Sequence, residues 1–169
     1  MLALHERRGN EQVLDIGTGR GLLLIGAARR LATGRACGLD IWSSIDLGGN
    51  SPESTQNNLL LERVERRCRL VSGSVLAMSF TDESFDVIVS NLCLHNIDGR
   101  AKRDHAVEHI VRVLKPGGRA IISGYKHTGQ YALTFRRLGL DVKKRRRNLF
   151  KTFPPLTIVI AQKPHRIRE

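Results

Sequence analysis

Gln12-Val13-Leu14-Asp15-Ile16-Gly17-Thr18-Gly19-Arg20-Gly21-Leu22 opens with five residues of strand type and passes into three glycines at alternate positions. From Leu22 to Leu31 the chain reads as a helix, with Leu23, Ala27 and Leu31 on one face. Glycines between a strand and a helix let the backbone turn sharply and come close to a ligand. The spacing is G-x-G-x-G, with Leu22 where the dinucleotide-binding G-x-G-x-x-G fingerprint has its last glycine. Asp15 stands two residues before the first glycine. A carboxylate so close disfavours a pyrophosphate and suits a ligand carrying a cationic amine. Both details argue against a dinucleotide-dependent dehydrogenase.

Moving outward, Arg35–Asp40 is a second strand that ends on an acid 19 residues past Gly21. A carboxylate there can accept hydrogen bonds from both hydroxyls of a ribose, so Asp40 implies a nucleoside. Ile41 and Trp42, the only tryptophan, could flank an adenine ring. After a Ser- and Gly-rich loop, Asn50-Ser51-Pro52 has the form of a helix start, and the helix runs to about Arg63 or Val64. Arg67–Val71 is a third strand and Ser84–Ser90 a fourth, almost continuously apolar, as a strand covered on both faces should be. Asp98 can cap a helix carrying Val107, Ile110, Val111 and Leu114 on one face. Pro116-Gly117-Gly118 turns the chain into a fifth strand, Ala120–Ser123. A helix over Thr128–Leu138 then closes at Gly139. Asp141–Phe153 and Leu156–Gln162 are two further strands without a helix between them, and so are antiparallel. Strands alternating with helices mean a doubly wound α/β sheet, in which ligands sit at the C-terminal strand ends. Asp15–Gly21, Asp40 and Asn91–Asp98 all follow strands on that edge and should share one crevice.

Composition narrows the class. The chain has 169 residues, 41% apolar and 26% charged, the balance of a single globular domain. Its longest apolar stretches, Leu22–Ile25 and Leu156–Ala161, are far short of the roughly 18 residues that span a bilayer. The first ten residues hold no apolar core of a secretory signal, and the three cysteines form no C-x-x-C pair. A cytoplasmic protein with reduced thiols is the expectation, and no metal site is expected. The net charge of +12 is uneven: residues 119–169 hold 13 Lys and Arg against Asp141 and Glu169. Lys143-Lys144-Arg145-Arg146-Arg147 suits RNA or another polyanion, but without interleaved aromatics it reads first as an edge strand whose charge blocks pairing with other chains.

Three groups of residues resemble one family. Val13–Gly21 resembles the first motif of class I S-adenosylmethionine-dependent methyltransferases, and Asp40 matches their ribose-binding acid. Phe85–Asn91 with Leu94-His95-Asn96-Ile97 resembles their fourth motif. Glu108–Arg119 is similar to the helix, turn and fifth strand of the methyltransferase-11 and ubiquinone/menaquinone-methyltransferase-like groups. The likeness covers about residues 11–124 in order and spacing. It implies a Rossmann-like seven-stranded sheet in the order 3-2-1-4-5-7-6, with strand seven antiparallel and helices on both faces. It further implies S-adenosylmethionine as cofactor, held by Asp15, Gly17, Thr18, Gly19, Gly21, Asp40, Ile41, Trp42, Ser74, Val75 and Asn91. Ser74 stands where relatives often carry an acid for the adenine amino group. Most relatives carry N-terminal helices that close over the substrate. With 11 residues before the first strand, that lid is expected to be short, supplied by a partner, or missing.

Methyl transfer needs proximity and alignment more than a covalent nucleophile. His95, just past the fourth strand, is the candidate base, with Asn96 beside it. His127 and Tyr131 follow the fifth strand and are candidate acceptor contacts. His105 and His109 have i, i+4 spacing among cations and read as a solvated helix face, while Cys37 and Cys68 read as core. The expected activity is methylation of a small molecule. The alternatives are RNA methylation through the basic run and a non-catalytic module that binds the cofactor.

Overall fold

The computed structural model describes residues 1, 8–43, 48–146 and 155–166. The strands are β1 (Gln12–Ile16), β2 (Arg35–Asp40), β3 (Cys68–Ser72), β4 (Phe85–Asn91), β5 (Leu114–Gly124), β6 (Asp141–Arg146) and β7 (Thr157–Gln162). The helices are α1 (Leu22–Ala28), α2 (Pro52–Leu61), α3 (Arg100–Val113) and α4 (Thr128–Arg137). The strands form one sheet in the order β3-β2-β1-β4-β5-β7-β6. β7 is antiparallel to both neighbours, and the other described pairings are parallel. Order and direction agree with the sequence reading. The stretch 147–154 of the expected hairpin lies outside the described residues, as do positions 2–7 of the expected short lid.

The pleat explains why β1, β4 and β5 are almost wholly apolar. Leu14, Ile16, Ile88 and Ile122 face a core shared with Val107 and Ile110 of α3 and Phe135 of α4. Val13, Val87, Val89 and Ile121 face the other way, onto Leu24 and Ala27 of α1 and Leu59 of α2. Each such side chain removed from water contributes about 1.5–3 kcal/mol. The central strands are thereby rigid, and the loops at their ends inherit fixed positions.

Ser51 caps α2 as expected: its hydroxyl oxygen accepts from the Ser54 N–H at 3.1 Å, with Pro52 in the first turn. The expected cap at Asp98 does not form. α3 starts two residues later behind Gly99, whose φ of +84° makes the turn without a side-chain cap. At the other edge of the sheet, the Asp86 carboxylate accepts from Gln12 N–H and Lys115 Nζ, both at 2.8 Å, tying together the starts of β1, β4 and β5.

Candidate functional site

The glycine loop between β1 and α1 is fixed from beneath by backbone. The Gly17 and Thr18 N–H groups donate to Leu39 C=O at 2.8 and 3.3 Å, and the Gly21 N–H donates to Thr18 C=O. The Gly19 N–H donates to Asp40 Oδ2 at 2.7 Å. From α2, the Thr55 hydroxyl donates to Gly19 C=O at 2.6 Å and the Asn58 amide to Arg20 C=O at 2.9 Å. A loop whose amides are turned inward in this way has few left for a phosphate. That is the physical difference from a dinucleotide-binding turn, which aims such groups at its ligand.

Two glycines are required by space, and the first by backbone angle as well. Gly17 has φ +71°, and a Cβ there would lie 2.3 Å from Cys93 Sγ. A side chain at Gly38 would meet Leu24 and Thr18 at 2.9 Å, so its absence lets the loop lie flat on β2. The opposite wall comes from β4, where Leu92, with φ +54°, donates its N–H to Ser123 C=O and swings Cys93 over Gly17.

Between these walls lies a cavity of about 550 Å³, within the range of small-ligand sites. Asp15, Gly17, Thr18, Gly19, Asp40 and Ile41 line one side of it. Ser74 and Val75 from the turn after β3, and Asn91 and Asn96 from the β4 loop, line the other. These sequence candidates therefore converge on one crevice at the C-terminal strand edge. Gly21, also with positive φ, sits at the start of α1 and shapes the loop without lining the cavity.

Four candidates lie elsewhere. Trp42 has φ +59° and donates Nε1–H to Ser72 Oγ at 2.8 Å, so its ring is anchored outside the cavity wall. His95 packs its ring against Tyr125 at 4.6 Å between centroids, beside the cavity and not on its lining. His127 is exposed at the start of α4, and partial desolvation, with Arg103 and Lys126, holds its pKa below the usual range. Tyr131 is 2% exposed and belongs to the core beneath α4, where burial pushes its hydroxyl up to about 12. It shares that inward face with Phe135, and this i, i+4 pairing is the sequence signal of a core position.

The two acids differ sharply. Asp15 is buried, its Oδ2 accepts from the Thr18 hydroxyl at 2.9 Å, and desolvation raises its pKa to about 7. Asp40 accepts from Gly19 N–H on one oxygen, and from Trp42 N–H (2.7 Å) and Asn50 Nδ2 (3.2 Å) on the other. A carboxylate has about four lone-pair sites, so roughly one is left for a ligand hydroxyl. Asn50, which the sequence reading treated only as part of a helix start, is 8% exposed and lines the cavity. Its Nδ2 must face Asp40, because the reverse would oppose two acceptors, and this leaves Oδ1 buried without a hydrogen bond. Asp40 and Asn50 together thus present acceptors where Asp40 alone was expected to.

The residues present fit an adenosyl sulfonium. There are carboxylates for a cation and for sugar hydroxyls, inward-turned amides, and a bare backbone at Gly17, where any side chain would collide with Cys93. A match to the family described as "Methyltransferase domain" spans residues 14–122, and the chain belongs to this family of class I S-adenosylmethionine-dependent methyltransferases. It is 32% identical to the demethylmenaquinone methyltransferase of Tropheryma whipplei over 139 residues, which are 77% of this chain and 48% of that one. The chain thus spans about half the length of the curated relatives it matches over most of its own length. In fold it is similar to a methyltransferase from Methanosarcina mazei (TM-score 0.79, 15% identity, 97% of each chain). It is also similar to a Burkholderia thailandensis 1,6-didemethyltoxoflavin-N1-methyltransferase bound to its acceptor and S-adenosylhomocysteine. There the TM-score is 0.72 with 21% identity, over 92% of this chain and 72% of that one.

Proposed function

We propose that this chain transfers a methyl group from S-adenosylmethionine to a small organic acceptor, with residues 1–169 acting as one catalytic domain. The observation that carries this reading is the convergence of the glycine loop, Asp40 and the β4 loop on a single cavity. S-adenosylmethionine, when bound, supplies a methyl carbon activated by an adjoining sulfonium. Asp40 and Asn50 would hold the sugar, and Ile41, Ser74 and Val75 would bound the base. Asp15 would lie toward the cationic end, its buried carboxyl gaining from a nearby positive charge.

Asn91 and Asn96 bring amide donors and acceptors to the acceptor side, and Leu92 and Ile97 give that side apolar walls. Neutral amides between apolar walls suit an uncharged ring compound. Support comes from the acceptors in the names of two similar proteins, demethylmenaquinone and 1,6-didemethyltoxoflavin. His95 remains the nearest imidazole to this wall in sequence, and its packing on Tyr125 suits it to orient the loop. On this reading the chain works chiefly by alignment.

The test is transfer of label from methyl-labelled S-adenosylmethionine into a reduced naphthoquinone, a small-molecule cell extract and total RNA. Label in the quinone or extract fraction is expected. Label in RNA alone, or in none of the three, would overturn the reading.

A further inference from the structure

We propose that the cavity edge of this molecule docks on the surface of anionic lipid bilayers. The inference goes beyond methyl transfer and does not depend on it. It begins with register. Gly124, at the end of β5, pairs with Thr157 at the start of β7, and Thr157 pairs with Arg146 at the end of β6. The basic strand therefore runs up to the same edge on which the cavity opens. Lys144 and Arg145 are exposed there, and Lys144 Nζ lies over the first turn of α4, 3.8 Å from where a Gly129 Cβ would be. Lys126 follows β5 on this edge, and Arg100 and Lys102 open α3; all three are exposed.

Among the described residues these cations stand outside the ion pairs, as Arg66 on the opposite edge also does, with Asp104 within electrostatic reach of Arg100. Elsewhere Arg29 pairs with Glu62, Arg112 with Asp82, Lys115 with Asp86, Lys163 and Arg166 with Glu83, and Arg137 with Glu108. Among the described residues, Arg100, Lys102, Lys126, Lys144 and Arg145 make no ion pair. Glu53 and Asp98 are the exposed described acids on this edge. All four helices also begin here, adding the positive ends of their dipoles.

Apolar side chains share the edge. Leu22 is 78% exposed, Ile41 62%, and Leu92, held at positive φ, 40%. All three stand at the cavity mouth. Exposed apolar groups and cations along one edge match a bilayer surface, where anionic headgroups meet the cations and the apolar side chains reach the acyl boundary. A nucleic acid fits less well. A single strand would need open aromatic faces for stacking, and the Tyr125 ring has His95 packed against it and Lys126 Nζ over it, 5.3 Å from the centroid. An acceptor dissolved in the bilayer would reach the cavity from the surface on which the protein rests.

The test is co-sedimentation of the full chain with phosphatidylcholine vesicles, with and without phosphatidylglycerol, at low and high salt. Binding to the phosphatidylglycerol vesicles alone is expected, weakening with salt. Lys126→Gln, Lys144→Gln and Arg145→Gln should each lower partitioning roughly fivefold. Arg66→Gln, on the opposite edge, should leave it unchanged. Leu22→Ser should lower the binding that persists at high salt. Retained S-adenosylhomocysteine binding by the triple Gln variant would show that its site is intact. The proposal is overturned by absence of binding to phosphatidylglycerol vesicles, or by an equal effect of Arg66→Gln. It is overturned equally by RNA displacing the chain from vesicles at matched phosphate concentration.

Discussion

Where the strands begin, Lys115 lies 2.8 Å from Asp86 and Arg112 lies 2.6 Å from Asp82, so that charge is spent on charge. Where they end, the carboxylates of Asp15 and Asp40 meet a hydroxyl, backbone amides and a side-chain amide. The first arrangement stitches the sheet together and leaves nothing to bind. The second keeps acceptors and strained loops in place at some cost in stability, as functional sites do. One sheet thus carries a stability edge and a binding edge, and substitutions at each should separate the two properties.

The largest effect is expected from Gly17→Ala. Left-handed backbone costs a residue with a Cβ about 1–2 kcal/mol, and the new methyl would overlap the Cys93 side chain. Calorimetry with S-adenosylhomocysteine should detect no binding, and the double variant Gly17→Ala/Cys93→Gly should recover part of it. Next, Asp40→Ala removes the acceptor that holds Gly19 and Trp42. Hydrogen bonds to a charged group are worth about 1.5–3 kcal/mol, so affinity should fall roughly tenfold to a hundredfold, and the melting temperature should fall too as Gly19, Trp42 and Asn50 lose their acceptor.

On the other edge stability should fall without affinity. Asp86→Ala frees Gln12 and Lys115, at about 2 kcal/mol, lowering Tm by roughly 4–8 °C for a chain of this size. S-adenosylhomocysteine affinity should stay within about twofold, since roughly 1.4 kcal/mol is needed for a tenfold change. A loss of affinity as large as that of Asp40→Ala would erase the distinction between the edges.

A different kind of effect is a pH slope. Burial raises Asp15 from its ordinary 3.8 to about 7. Below pH 4 the carboxyl is protonated in both folded and unfolded chains, and its contribution is fully present. As pH rises toward 7 the unfolded chain has already released this proton and the folded chain has not, so stability falls, by at most about 1.4 kcal/mol per pH unit. Thermal melts of Asp15→Asn should lack this part of the slope.

Much of the binding edge was legible because backbone demands are written in residue type. Alternating glycines after a strand, an acid ending β2 and a helix start at Ser51-Pro52 each have few structural solutions. The apolar runs of β1, β4 and β5 announced a sheet covered on both faces, and the family resemblance supplied its order. Side-chain direction was less legible. His95, His127 and Tyr131 all follow strand ends, but only the folded chain shows two beside the cavity or in solvent and one in the core. Asn50 was hidden for a different reason: its partner Asp40 is fixed by the fold, and nothing in the nine intervening residues announces their pairing. Asp98 was misread because a glycine at positive φ can start a helix as well as a capping acid can.

The central claim is that an adenosyl ligand lies over the glycine loop against Asp40. Its most direct test is titration of the nitrogen-labelled chain with S-adenosylhomocysteine, following each backbone amide by NMR. The account predicts saturable shifts of the Gly17, Gly19 and Ile41 amides at one common affinity, with those of Gln12 and Lys115 unmoved. Binding that leaves Gly17 and Gly19 in place, or shifts only residues remote from the cavity, would contradict it.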